Sequence, residues 1–248
     1  MADWPPGTGR IHLAETDSTN AEAARLLALG TPAPFWVSAA VQTAGRGRRG
    51  RPWIAPPGNL TASLALRPGE DAAQAALRSF TASLALAEAL EAVGAEPADL
   101  SLKWPNDVLL RGRKLAGILL EANRARGGLS LILGIGVNLA SAPQAAEIEP
   151  QALPPIALAE LGLHVAPETL LDHLGPAFAA WETVLRRDGF GPVRDAWLAR
   201  AARLGQVITA RLPGQAITGR FRTVDDTGAV VIETGDGPLA LPAADIFF

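Results

Sequence analysis

The sequence predicts an α+β protein, a larger unit of strands and helices followed by a small β-barrel. Three observations carry this. Apolar residues alternate with period two in short runs such as Leu60, Ala62, Leu64 and Leu66. Long alanine- and leucine-rich stretches end in glycine as helices do, and after Gly205 short β-rich runs separated by turn residues take over.

Taken in order, Thr19 to Glu22 has the spacing of a capping box before a helix from Ala21 to Leu29, with Gly30 placed to stop it. Phe35 to Val41 is an apolar strand that runs into a glycine- and arginine-rich loop. Leu60 to Leu66 is the next strand, and Ala72 to Val93 a long helix closed by Gly94. Leu100 to Trp104 leads through a Pro105-Asn106-Asp107 break to Val108–Leu110 and Leu115–Ala122. The join at Arg111-Gly112-Arg113 suits an antiparallel hairpin. Leu129 to Leu139 reads as a strand, here expected at a sheet edge where another protein or a second copy would pair with it. Ser141 to Pro155 reads as a mobile loop. Helices follow at Ile156–Leu161, Pro167–Arg187 and Pro192–Leu204, the latter two opening on proline. The tail has strands at Gln206–Leu212, Ala216–Val224, Ala229–Glu233 and Pro238–Leu241. At roughly forty residues it is near the lower limit for independent folding, so it should lean on the larger unit.

Composition narrows the chemistry. With 248 residues, 48% hydrophobic and 19% charged, the chain has material for a substantial core. A net charge of −3 supplies no global cationic field, so any nucleotide or nucleic-acid site is local. The absence of cysteine removes disulfides, thiolate metal sites and thioester intermediates on the protein; three scattered histidines supply a zinc hydrolase poorly, and no metal site is expected. The N-terminal residues lack the features of a secretory signal, and a cytoplasmic location is the expectation.

The loop Gly45-Arg46-Gly47-Arg48-Arg49-Gly50 matches GxGxxG after a strand, yet Arg51-Pro52 and Pro56-Pro57 forbid the helix that would receive a pyrophosphate. Its spacing also grazes the P-loop, but Arg51-Pro52 replaces the Lys-Ser or Lys-Thr pair. Four arginines within six residues repel one another unless an anion sits among them. A phosphate site and a solvated or RNA-touching basic turn are equally compatible with this loop alone.

Its neighbours decide. The segments Glu15-Thr-Asp-Ser-Thr-Asn20, Gln42 to Trp53, Lys103-Trp-Pro-Asn-Asp107, Arg113-Lys-Leu-Ala-Gly-Ile-Leu119 and Gly134-Ile-Gly-Val-Asn138 together closely resemble the biotin protein ligases, over nearly the whole chain. The resemblance implies a mixed-sheet biotin/lipoate ligase-like catalytic domain, here 1–204, and a small C-terminal SH3-like β-barrel, 205–248. It implies synthesis of biotinyl-AMP from biotin and Mg-ATP, then transfer to a lysine of a biotin carboxyl carrier domain. The substrates would be biotin and ATP, with Mg2+.

Carried over by position, Ser18, Thr19 and Asn20 would meet the ureido ring of biotin, with Gln42, Gly45, Arg46 and Gly47 along it. Gly117, Gly134 and Gly136 would let backbone approach it. Arg46, Arg48, Arg49, Trp53, Lys103, Asn106 and Asn138 would serve ATP or the adenylate, and Lys114 would bridge the biotin carboxylate and the α-phosphate. Lys114, Arg48, Asp107 and Lys103 would form the catalytic set, Asp107 orienting or deprotonating the acceptor amine. Ser18 stands too early for a preceding helix-turn-helix, so no DNA binding is expected. The ending Leu241 to Phe248 departs from the glycine-containing ending of that barrel. The rivals are a lipoate ligase or octanoyltransferase, whose glycine-triplet motif is not found, and an RNA-binding module built on the arginine loop.

Overall fold

The protein is described by a computed structural model covering residues 3–69, 71–125, 128–144 and 153–248. Among these, twelve strands and five α-helices form two sheets. The strands of the larger sheet are β1 (Gly9–Thr16), β2 (Phe35–Gln42), β3 (Leu60–Leu66), β4 (Leu100–Lys103), β5 (Asp107–Leu110), β6 (Arg113–Ala125) and β7 (Gly128–Val137). Their order is β1-β2-β3-β7-β6-β5-β4. The β1–β2 pair is parallel and the remaining pairs antiparallel, which makes the sheet mixed.

Both faces of the centre are covered, so β3 is buried at every position rather than at alternate ones. On one face α1 (Thr19–Ala28) buries Ala23 and Leu27 against Phe35, Val37, Ala65 and Ile132. The other face carries α2 (Ala72–Ala76), α3 (Arg78–Ala92), α4 (Pro167–Asp188) and α5 (Phe190–Ala199). There Trp36 meets Phe178 edge-on, and Phe80 packs between Phe190 and Trp197. The expected helix Ala72–Val93 is α2 and α3, divided at Leu77, where i to i+3 hydrogen bonds on both sides tighten one turn. The hairpin between β5 and β6 turns on Arg111 and Gly112 with φ of 51° and 73°, the positive pair that a two-residue type I′ turn requires.

The smaller sheet comprises β8 (Val207–Leu212), β9 (Gln215–Val224), β10 (Val230–Thr234), β11 (Gly237–Leu241) and β12 (Asp245–Phe247), antiparallel in the order β11-β10-β9-β8-β12. This is the expected SH3-like unit. Its buried Phe221, Val230, Ile232 and Ile246 join the main core, and Trp104 Nε1 donates to Gly228 O across the junction at 3.0 Å.

Several expectations are corrected. Ser18, not Thr19, is the residue before the first helical turn, and no side chain caps it, because the Thr19 hydroxyl points inward to Gln42 and Ser63. The Leu129–Leu139 segment is a central strand: β3 and β6 take both of its edges, so neither a carrier nor a second copy pairs there. Ile156–Leu161 is not an α-helix; the Pro154 carbonyl and the Ile156 amide bond to the Lys114 backbone as a short bridge, leaving one tight turn at Leu158–Leu161. The helix expected at Pro192–Leu204 starts at Phe190 and ends at Ala199, since the Arg200 carbonyl and Ala202 amide pair with Leu102 instead. Strands β1 and β12 were not expected. Of the expected mobile loop Ser141–Pro155, residues 145–152 lie outside the described residues.

Candidate active site

Loop 43–59, the N-terminus of α1, the turn before β5, the strands β6 and β7, and β12 converge on one cleft of about 290 Å3. Of the residues singled out above, Ser18, Thr19, Asn20, Gln42, Arg46, Gly47, Arg48, Trp53, Lys103, Asn106, Asp107, Lys114, Gly117, Gly134, Gly136 and Asn138 all line it. Gly45 and Arg49 do not. Gly45 packs against the Trp53 carbonyl, 2.6 Å from where its Cβ would stand, and Arg49 is paired with Asp245, which does line the cleft.

At one end, oxygen atoms crowd together. Gln42 Oε1 accepts from the Thr19 amide at 2.7 Å and the Thr19 hydroxyl at 3.0 Å. Ser63 Oγ lies 2.7 Å from Thr19 Oγ1 and 2.6 Å from Asn20 Oδ1. Those three oxygen–oxygen contacts share only two hydroxyl protons, so the cluster has spare acceptor capacity. Asn20 Nδ2 donates to Glu121 Oε2 at 2.7 Å, which assigns its amide: Oδ1 must face Ser63. A Cβ on Gly134 would fall 2.3 Å from Asn20 Oδ1, and one on Gly136 would fall 2.3 Å from the Trp53 ring. The glycines of β7 therefore make room for these two side chains, and Trp53 lies across the strand with its Nε1 buried and unpartnered. Asn138 Oδ1 is likewise buried without a partner.

The other end is cationic. Lys114 Nζ is 2.8 Å from Asp107 Oδ1 and lies over the Trp53 ring at 5.8 Å, while Lys103 Nζ is 3.7 Å from Asp107 Oδ2. The chain has two lysines among its 22 basic residues, and both stand here. Burial pushes the Asp107 carboxyl up, but Lys114, Lys103 and Arg48 outweigh it and hold the group below its ordinary value. Burial lowers Lys103, its ion pair with Asp107 notwithstanding, and lowers Arg48 as well. Asn106 is tied on both sides, donating to Ile118 O at 2.6 Å and accepting from Arg48 at 3.3 Å.

Residues missed in the sequence belong here too. Asp245 accepts from Arg49 at 2.5 Å and Arg51 at 3.1 Å, and its Oδ1 lies 3.8 Å from Arg48. Glu121 and Ser63 buttress Asn20. Each is joined to its partner across at least 43 residues, a separation that no local motif signals. Among the described residues no three carboxylate or imidazole groups converge as metal ligands, and no helix is long and apolar enough to cross a membrane.

A cleft with a hydrogen-bonding end, an aromatic floor and a cationic end, built on a mixed sheet with an SH3-like companion, matches known proteins. The model of the Biotin/lipoate A/B protein ligase family matches residues 13–138, and that of the Biotin protein ligase C terminal domain matches residues 204–248. The chain belongs to this family, among its biotin protein ligases. It is 51% identical over 238 residues to a biotin–[acetyl-CoA-carboxylase] ligase of Paracoccus denitrificans, covering 95% of this chain and 99% of that one. A ligase of the same name from Mycobacterium tuberculosis is 34% identical, covering 94% of this chain and 86% of its own. Among solved structures, the biotin protein ligase of Aquifex aeolicus in complex with biotin and ATP superposes with a TM-score of 0.82 at 27% identity, over 96% of this chain and 97% of that one.

Proposed function

We propose that the protein activates biotin to biotinyl-5′-AMP with ATP and transfers the biotinyl group to a lysine of a biotin carboxyl carrier domain. One observation carries the reading: the acceptor-rich cluster and the pair of lysines stand at opposite ends of one cleft. Biotin has N–H donors on its ureido ring and a carboxylate at the other end, which is that polarity in reverse. The Gln42, Thr19, Asn20 and Ser63 oxygens then take the ureido group. Lys114 and Arg48 take the carboxylate and α-phosphate.

In the first step a carboxylate oxygen attacks the α-phosphorus, a new C–O–P linkage forms, and the bond to the β-phosphate breaks with release of pyrophosphate. Two anions must meet, so cations fixed beforehand lower the barrier without a protein nucleophile. In the second, a neutral lysine amine of the carrier attacks the acyl carbon, the acyl C–O bond breaks, AMP leaves with the electron pair on its phosphate oxygen, and the amine nitrogen gives up one proton to solvent as the amide forms. Asp107, acidified by three cations, is a weak base, so orienting the amine and Lys114 suits it better than deprotonation. The unpartnered Trp53 Nε1 and Asn138 Oδ1 supply one donor and one acceptor for the adenine edge. Mg2+ enters on the triphosphate as part of the Mg-ATP substrate. On this reading the catalytic unit is 1–204 and the SH3-like unit 205–248, in keeping with the family-model matches at 13–138 and 204–248, and the enzyme acts in the cytoplasm.

The deciding measurement is exchange of labelled pyrophosphate into ATP. It is expected with biotin and absent with lipoate or octanoate; exchange driven by lipoate instead would move the protein to the lipoate branch, and none with any acid would remove the activation step.

A further inference from the structure

Resting on the reading of the cleft as a triphosphate site, we propose that Asp245 is a resident counter-anion for the arginine loop, competing with the incoming phosphates. Arg48, Arg49 and Arg51 crowd into four residues, a charge density that calls for a counter-anion. The protein does so from its other unit. The Asp245 carboxylate, 9% exposed and at the start of β12, takes Arg49 and Arg51 on one oxygen and faces Arg48 with the other. The Ala244 carbonyl adds a fourth contact by accepting from Arg48 at 3.3 Å. Asp245 lines the same cleft as Lys103, Lys114 and Asn106.

Two consequences follow from the placement. With no nucleotide bound, Asp245 holds the loop in an ordered turn against the barrel. When a triphosphate arrives it meets arginines already paired, so part of its binding free energy goes into separating Asp245 from them, and the local hold on β12 loosens. Nucleotide binding is thereby coupled to an edge strand of the smaller sheet, since among the described strands β12 pairs only with β8.

The test compares wild type, Asp245→Asn and Asp245→Glu as full chains. Calorimetric titration with ATP, and in parallel with inorganic tripolyphosphate, should give a dissociation constant about three- to tenfold lower for Asp245→Asn, and near wild type for Asp245→Glu. In the absence of any anion, trypsin should cut after Arg46, Arg48 and Arg49 several times faster in Asp245→Asn, with tripolyphosphate restoring protection. Should Asp245→Asn not fold, hydrogen exchange on wild type decides: ATP should slow amides of residues 46–51 and speed those of 244–247.

Equal or weaker anion binding by a folded Asp245→Asn, or slowing of both segments in wild type, overturns the proposal by making Asp245 a neutral bystander or an ally of the phosphates. If wild type binds tripolyphosphate as described but never ATP, the counter-anion stands and the reading of the cleft as an ATP site falls.

Discussion

Asn20 donates its amide to Glu121 at 2.7 Å while its oxygen faces Ser63 at 2.6 Å, so a carboxylate on β6 decides which way a ligand-facing amide points. Removing that carboxylate by Glu121→Ala frees the amide to rotate. A hydrogen bond to a charged group is worth about 1.5–3 kcal/mol, so KM for biotin should rise by roughly tenfold or more with kcat little changed. Steady-state kinetics check this, and an equal fall of kcat at constant KM would contradict the positioning role.

Lys114 stands between Asp107 and the Trp53 ring, where the carboxylate and phosphate are expected to meet. Lys114→Ala should lower adenylate formation by at least two orders of magnitude, roughly the 3 kcal/mol of one removed electrostatic stabiliser. Asp107→Asn should retain more activation than transfer. Supplying preformed biotinyl-AMP and a carrier fragment to both variants separates the two steps.

Gly134→Ala places a methyl group 2.3 Å from Asn20 Oδ1. Overpacking of this kind costs about 1–3 kcal/mol, and here it breaks the Asn20–Ser63–Thr19–Gln42 chain. The expected outcome is a folded protein with a lowered Tm and biotin binding weakened at least tenfold, read by melting and by titration.

The acid side of the stability profile belongs partly to Asp107. Its folded pKa lies below the unfolded one, so its contribution is present above about 4 and is lost as pH falls through the lowered folded value. Urea unfolding from pH 7 to pH 2 should show wild type more stable than Asp107→Asn at neutral pH. The gap should close at the acid end; a constant gap would assign the difference to packing.

Biotin with ATP should raise Tm by more than the two ligands' separate shifts combined, because a tightly held adenylate stabilises the folded state by mass action. Melting with each ligand and with both is sufficient.

The legible parts of the chain were those whose causes are local. Leu60–Leu66 is bounded by Gly58-Asn59 and Arg67-Pro68, so its ends could be placed from punctuation alone. The lining of the cleft came from motifs in which ligand-facing residues sit within a few positions of one another. Strand β1 escaped because it is an edge strand exposed at alternating positions, with Arg10, His12 and Glu15 diluting its apolar signal. Serine and threonine stand side by side before α1, so the capping-box spacing favours Thr19, and only its distant partners Gln42 and Ser63 show that Ser18 holds that place. The β7 glycines Gly134 and Gly136 line the cleft, but the side chains that need their space, Asn20 and Trp53, are 114 and 83 positions away, which no local motif signals.

Both lysines of the chain, Lys103 and Lys114, face the same carboxylate inside the cleft, and every other basic side chain apart from histidine is an arginine. An acyl-adenylate that escapes into solution reacts with amines, not guanidinium groups, so the enzyme's own exterior offers such a leak almost no target. For the same reason an amine-directed ester becomes a site titrant: aside from a chain-terminal amine, each equivalent incorporated reports on the reaction chamber, and the occupancy of that chamber can be counted by mass.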